Sequence, residues 1–225
     1  MSMIAKVWTS GVKSDSSLGN KLGLRWKLFG EDWSPAQHII GASSEEYLEA
    51  VNKSAQGHAL DRGCFPEALA IWNRQCFARV GNYFYAKGFV AVKGRLAEVL
   101  SRFDLGEGGL IPLMIYQEDL TTPEPGEFFM VNFGSRKDSL IPEQSTMLRQ
   151  HYVEPATGKQ LWTIRSGVKD GDIALTPAAL DGADLWNEER VRSRIFMSDA
   201  LVTAIREAGV TVDFRLAQCR IVEPN

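Results

Sequence analysis

The stretch "DLWNEERVRSRIFMSDALVTAIREAGV", Asp184 to Val210, carries the strongest local signal in the chain. Ser198 suits a helix N-cap, because its hydroxyl can accept a backbone N–H that has no intrahelical partner. Asp199 then sits at the positive end of the helix dipole. Leu201, Val202, Ile205 and Ala208 fall on one face at helical spacing, and Gly209 supplies a left-handed exit. The following "VTVDFRLAQCRIV" alternates and predicts a closing strand. The apolar stripe holds no acid–base pair, so the helix reads as a packing element rather than a carrier of chemistry.

Working outward, three more segments have helical signals. In "SSEEYLEAVNKSAQ", Ser43 and Glu46 have capping-box spacing, and Tyr47, Leu48, Val51 and Ala55 form a stripe. "FPEALAIWNRQCF" predicts a second helix, with Pro66 at its first position, where the missing N–H is no loss. "GRLAEVLSRFDLG" places Leu96, Val99, Leu100 and Phe103 on one side. "AKVWTS", "LRWKLFG", "YFYAKGFVAV", "LIPLMIYQ", "EFFMVNF", "KQLWTIRSG" and "DIALTP" read as extended chain, and Asp170-Gly171 predicts a hairpin turn between the last two. "RLAEVLSRFDLGEGGLIPLMI" and "ALVTAIREAGVTVDFRLAQCRI" echo each other as helix, glycine, strand, with Leu96, Val99 and Leu100 matching Leu201, Ala204 and Ile205. This mixed order predicts an α+β fold, with mixed or antiparallel sheet segments and several amphipathic helices packed against them. Residues 81–225 are expected to form one domain, with residues 1–80 an N-terminal portion either joined to it or separate.

The totals narrow the function. A chain of 225 residues suffices for one large domain or two small ones. Its 44% hydrophobic and 24% charged residues are the balance of a soluble globular protein, and a net charge of −3 gives no reason to expect direct nucleic-acid binding. The longest apolar run, "LIPLMIY", is too short to cross a bilayer, so no membrane partner is expected. "MSMIAKVWTSGVKSDSS" has no apolar core of the signal-peptide kind, and the cysteine count is odd. Both point to reduced thiols in the cytoplasm. The pattern sets no oligomeric state.

Candidate chemistry is sparse. His38, His58 and His151 are far apart, and only His58 has cysteines nearby, Cys64 and Cys76. A zinc site takes about four ligands, usually in close pairs, so these spacings predict no metal, and no cofactor motif is present either. "GEGG", Gly106 to Gly109, lacks the Gly-Lys-Ser/Thr ending of a phosphate loop and reads as a connector. The six tryptophans have no basic stripe among them and read as core or interface. Cys64, just before Pro66, is the one candidate nucleophile; paired with His58 or His151 it would make a cysteine-dependent hydrolase. No catalytic residue is assigned on that ground. From Phe103 through Ser135 there is no Lys, Arg or His, while Asp104, Glu107, Glu118, Asp119, Glu124 and Glu127 lie within. Glu118, Asp119, Glu124 and Glu127 are therefore expected to bind a basic protein partner.

The order of "FFMVNFGSRKDSLI", "LWTIRSGVKDGDIALTPAALDGADLWNEE" and "RIFMSDALVTAIREAGVTVDFRL" resembles the eleventh immunity-protein family of bacterial polymorphic toxin systems, over roughly residues 90–222. The most telling piece is the last, an apolar-Phe pair leading into a Ser-capped helix that turns at "EAG" into a strand. The resemblance implies a non-enzymatic protein that neutralises a cognate toxin acting in the cytoplasm, such as a nuclease, by stoichiometric occlusion. No binding residue carries over from the family.

Overall fold

The structure, a computed structural model, describes residues 6–19, 22–35, 44–155 and 158–223. In chain order its strands are β1 (Val7–Ser10), β2 (Leu24–Lys27), β3 (Ala68–Ile71), β4 (Tyr83–Ala86), β5 (Phe89–Lys93), β6 (Gly109–Pro112), β7 (Met114–Tyr116), β8 (Phe128–Asn132), β9 (Arg136–Lys137), β10 (Leu148–Val153), β11 (Gln160–Ile164), β12 (Ala174–Leu175), β13 (Leu185–Glu188), β14 (Val191–Arg192), β15 (Ile195–Ser198) and β16 (Leu216–Ile221). The helices are α1 (Glu45–Ala55), α2 (Arg74–Phe77), α3 (Gly94–Leu100) and α4 (Asp199–Glu207). This is an α+β fold, with antiparallel and mixed sheets.

Two central sheets face each other across α3 and α4. One has the order β4-β5-β8-β6, the other β12-β16-β1-β15-β13-β9. Both bury residues on both faces. Along β5, Val90 and Val92 enter the core around α3 and α4, while Phe89 and Ala91 enter a second core on the far side. Along β15, Ile195 and Met197 point to the helices and Phe196 to a third core. Alternation between two buried faces yields strands that are apolar throughout rather than every second residue. Two smaller sheets cover the outer faces, β2-β3-β7 over the first and β10-β11-β14 over the second.

The echo in the sequence has a structural counterpart. β4 and β5 pair antiparallel, α3 crosses over, and β6 returns parallel to β5 with β8 between them. β13 and β15 likewise pair antiparallel, α4 crosses over, and β16 returns parallel to β15 with β1 between them. The covering sheets repeat the relation, each an antiparallel pair joined to a parallel third strand. Leu96, Val99 and Leu100 are buried, as are Leu201 and Ile205, with Ala204 packed beside them. The middle strand breaks the match in chain order. β8 follows its helix, whereas β1 precedes every other strand. The chain on either side of Gly81 thus shares sheets, since β1 is hydrogen-bonded between β15 and β16.

α4 keeps its expected ends. Ser198 Oγ accepts from Leu201 N at 3.2 Å, and Gly209 takes φ +62°. Asp199 also accepts from Trp8 Nε1 at 2.8 Å, tying the helix start to β1. In β4–β5 the turn falls on Lys87 and Gly88, both at positive φ, as a tight hairpin requires.

Four expectations need correction. "FPEALAIWNRQCF" is not one helix: Ala68–Ile71 form β3, and only Arg74–Phe77 are helical, capped by Asn73. A short apolar run fits helix or strand, and burial between β2 and β7 decides for strand. Asp170-Gly171 makes a turn but no hairpin, because β12 pairs parallel with β16 and not with β11. Asp170 Oδ1 accepts from Gln218 N, and Gly171 N donates to Gln218 O, so this turn docks on β16. The cap of α1 is Ser44, whose Oγ accepts from Tyr47 N; Ser43 lies outside the described residues. The buried face of α1 is Tyr47, Ala50 and Ser54, leaving Leu48 51% exposed.

Because Leu201 is fully buried and Ile205 nearly so, Leu201→Ala or Ile205→Ala should each cost roughly 2–5 kcal/mol through lost burial and a residual cavity. Chemical denaturation measures this directly; an unchanged midpoint in both variants would contradict the packing.

Candidate functional site

The connection after α1 builds the most distinctive surface feature. Residues 55–60 form a strap across the seam between the two halves of the fold. Asn132, at the end of β8, clamps it like a bridging strand: Oδ1 accepts from Leu60 N at 3.0 Å and Nδ2 donates to Leu60 O at 2.9 Å. From the other half, Asn187 Nδ2 donates to Ala55 O at 3.1 Å, and Lys13 Nζ donates to the same carbonyl at 3.1 Å. Gly57 allows this approach. It has φ +92°, and a Cβ there would stand 2.8 Å from Asn187 Cβ and 2.9 Å from Ser135 O.

Three depressions adjoin along the strap. The first, about 340 Å³, is lined by His58, Arg136, Lys159 and Arg192 among others. The second shares His58 and Arg136 with it and continues to Asp104, Gly106 and Glu107. The third shares Ala59 and Glu107 with the second and reaches Glu46, Asp61 and Cys64. Together they make one polar groove, floored by the strap and walled by both halves. His58 stands at a junction in it. Burial lowers its pKa, and the nearby charges of Arg136 and Lys53 lower it further.

The buried base of this region is built around Glu188. Its carboxylate accepts from Ser139 N (2.8 Å), Ser139 Oγ (2.5 Å), Leu140 N (3.2 Å) and Trp186 Nε1 (3.0 Å). Burial pushes its pKa up against the pull of these donors. Lys137 lies over the Trp186 ring at 3.6 Å and donates to Ala179 O and Ala183 O. The arrangement fastens the chain after β9 to β13, and its polar atoms are used in doing so.

The expected partner-binding residues fall elsewhere. Glu127 precedes β8 and Glu107 is hydrogen-bonded to Gly134 beyond its other end, so the extended run between them, roughly 20 Å, keeps the two apart. Asp104 and Glu107 therefore line the groove, while Glu118, Asp119, Glu124 and Glu127 belong to the β7–β8 connection. There Arg74, from outside the acidic run, pairs with Glu118 at 3.0 Å and Glu124 at 2.6 Å. Asp119 accepts from Thr122 Oγ1, Thr122 N and Thr121 N, which hold its carboxyl down to about 2. Glu127 is exposed. The acidic connection is thus held together internally, by a base that lies distant in sequence.

Cys64 closes a 3-10 turn, Arg62–Cys64, and neither His58 nor His151 hydrogen-bonds to it. His151 is on exposed β10, its ring against Tyr152. His38 lies outside the described residues. Among the described residues, no group of three or more His, Cys, Asp or Glu side chains is placed to hold a metal ion, and no helix is long and apolar enough to cross a membrane. "GEGG" is a packing contact. A Cβ on Gly108 would stand 1.9 Å from Asn132 O, so the chain passes β8 only because no side chain is there.

Lys13 supplies a test of the strap. Its ammonium has the Phe133 ring at 4.2 Å and the Ala55 carbonyl as partners. The ring favours the charge, but desolvation outweighs it and lowers the pKa to about 7. The unfolded chain binds that proton up to about pH 10.4, so this group costs stability at pH 7, and the cost fades as pH rises. Lys13→Met should therefore be more stable than the parent at pH 7, with the advantage shrinking toward pH 9 in denaturation curves. An advantage independent of pH would place the ammonium in solvent.

Comparison with protein-family models and with curated proteins gives no match to this chain.

Proposed function

We propose that this protein is an immunity protein, which binds a cognate bacterial toxin acting in the cytoplasm and neutralises it by stoichiometric occlusion. The observation that supports this most is the groove along the seam. Its floor is clamped from both halves by Asn132, Asn187 and Lys13, so a partner would meet a surface already in its binding shape. Preorganisation of this kind lowers the ordering cost of association. Arg136 and Arg192 at one end, and Glu46, Asp61 and Glu107 at the other, have no ion pair within the described residues. The ordered motifs between residues 90 and 222 support the same reading. A stable complex would bury about 1,200–2,000 Å² in total, so the interface would extend beyond the groove onto its rims.

The alternative is a cysteine-dependent hydrolase using Cys64. Cys64 borders the acidic end of the groove beside Lys53, with no histidine bonded to it. One titration separates the two. The protein is added in steps to a fixed amount of the cognate toxin, sought as the product of the neighbouring gene. Occlusion predicts protection that saturates near one equivalent and survives Cys64→Ser. Protection by far less than one equivalent, lost in Cys64→Ser, would show turnover and favour the hydrolase.

A further inference from the structure

Among the described residues two charged side chains are almost wholly enclosed, Glu188 at 2% exposed and Arg194 at 6%. The fold serves them unequally. Four donors surround the Glu188 carboxylate. Arg194 meets only the backbone carbonyls of Ile164 and Arg165, both through Nη2, at 3.4 and 3.2 Å. Bonds that long do little to offset the desolvation of a full charge. Among the described residues no carboxylate lies within ion-pair distance of Arg194. The charge that acts on it is of its own sign: burial lowers its pKa, and Arg215 lowers it further. Asp15 and Asp213 are turned to Arg215, at 2.8 and 3.9 Å. The backbone here is also unusual. Ser193, just before Arg194, and Arg215 both have positive φ, 58° and 49°, which is costly for a residue with a side chain. A Cβ on Gly11 would stand 2.6 Å from Arg194 Nη1 and 3.2 Å from Arg215 Cβ, so the glycine leaves room for the guanidinium beside the end of β1.

We propose that Arg194 binds an oxyanion, of the phosphate or carboxylate kind, beside Gly11 and Arg215 at the end of β1. The N–H groups of Nε and Nη1 have no acceptor among the described residues. Neither atom is among the sealed ones that lack a partner, so both lie where solvent reaches. They are the groups left to hold a ligand. An oxyanion brings negative charge and strong acceptors together, and charge-assisted bonds to a guanidinium are the strong ones. It would answer the buried charge, which the chain itself does not. Arg215 adds attraction from beside it. Arg194 lines none of the three depressions along the strap, so this site is separate from the groove and does not rest on the immunity reading.

The test uses the whole protein and simple ions. Thermal unfolding is followed as chloride is replaced by inorganic phosphate, or by acetate, at constant ionic strength, so that screening stays the same. A ligand that binds only the folded state raises the midpoint along its own binding curve. The midpoint should climb and saturate in at least one of the two salts. A rise in phosphate alone marks a phosphate-type ligand, and a rise in acetate marks a carboxylate such as a protein side chain carries. Phosphate also stabilises folded proteins by exclusion from their surface, but that rise does not saturate and is common to all variants. Arg194→Lys keeps the charge and loses N–H groups, and should weaken binding about tenfold. Gly11→Ala crowds Nη1 by the same Cβ contact and should weaken it too; Gly11 has φ −90°, so alanine leaves the backbone unstrained. Each variant is read against its own midpoint in chloride. Arg194→Lys decides where it folds, and Gly11→Ala where it does not. No saturable rise in either salt would overturn the proposal, and so would a rise that the deciding variant retains in full.

Discussion

Every strand in the centre of this protein must satisfy two cores at once. β5, β8, β1 and β15 each send alternate residues toward the α3–α4 layer and toward an outer sheet, so no face is left to carry polar residues freely. A polar side chain admitted there has to be hydrogen-bonded, since a buried polar group without a partner costs several kcal/mol against water. Of those admitted, Asn132, Asn187 and Glu188 lie at strand ends facing the seam, where they bind backbone, and Ser10 of β1 donates to Phe214 O; the Thr9 hydroxyl, midway along β1, is the exception, buried with no partner among the described residues. The double burial therefore decides both the fold and the place where polar chemistry can gather.

That constraint also explains what could be read from the sequence. α3 and α4 have one buried side each, so their apolar residues recur at helical spacing and were legible, down to the serine cap and the Gly209 exit. β13 and β15 were not. Buried on both faces, they show no alternation, and Asn187, Glu188 and Arg194 interrupt their apolar run with groups that are polar yet almost fully buried. β3 suffered the opposite ambiguity, a short apolar run beside Pro66 that fits either element until β2 and β7 enclose it. The stripe on α1 was rotated for a related reason: Leu48 is apolar but exposed, and Ser54 is polar but buried.

The groove had no local signature. It draws on residues near 46–61, 104–107, 132–136, 154–161 and 188–192, and no two of these segments form a motif on their own. The acidic run was visible as a count, but its arrangement in space was not. The charge that offsets it, Arg74, lies thirty residues outside its nearest edge in the chain, and β8 separates its members into two places. The groove itself emerges only when the two halves are brought together.

The position of β1 carries a consequence for how the chain acquires its structure. Residues 7–10 are made well before their hydrogen-bonding neighbours, Ile195–Ser198 and Leu216–Ile221. The sheet β4-β5-β8-β6 has all its strands once residue 132 has emerged, whereas the second central sheet lacks β15 and β16, the neighbours of β1, until residue 221 is out. Contacts across almost two hundred residues are slow to close, because their loop entropy is met before any packing rewards it. Folding should thus run in two stages, an early half that settles once residue 132 is out and a late half that waits for residues 195–221. In the interval β1, with both its edges unpaired, is the segment most open to capture by a chaperone or by another chain.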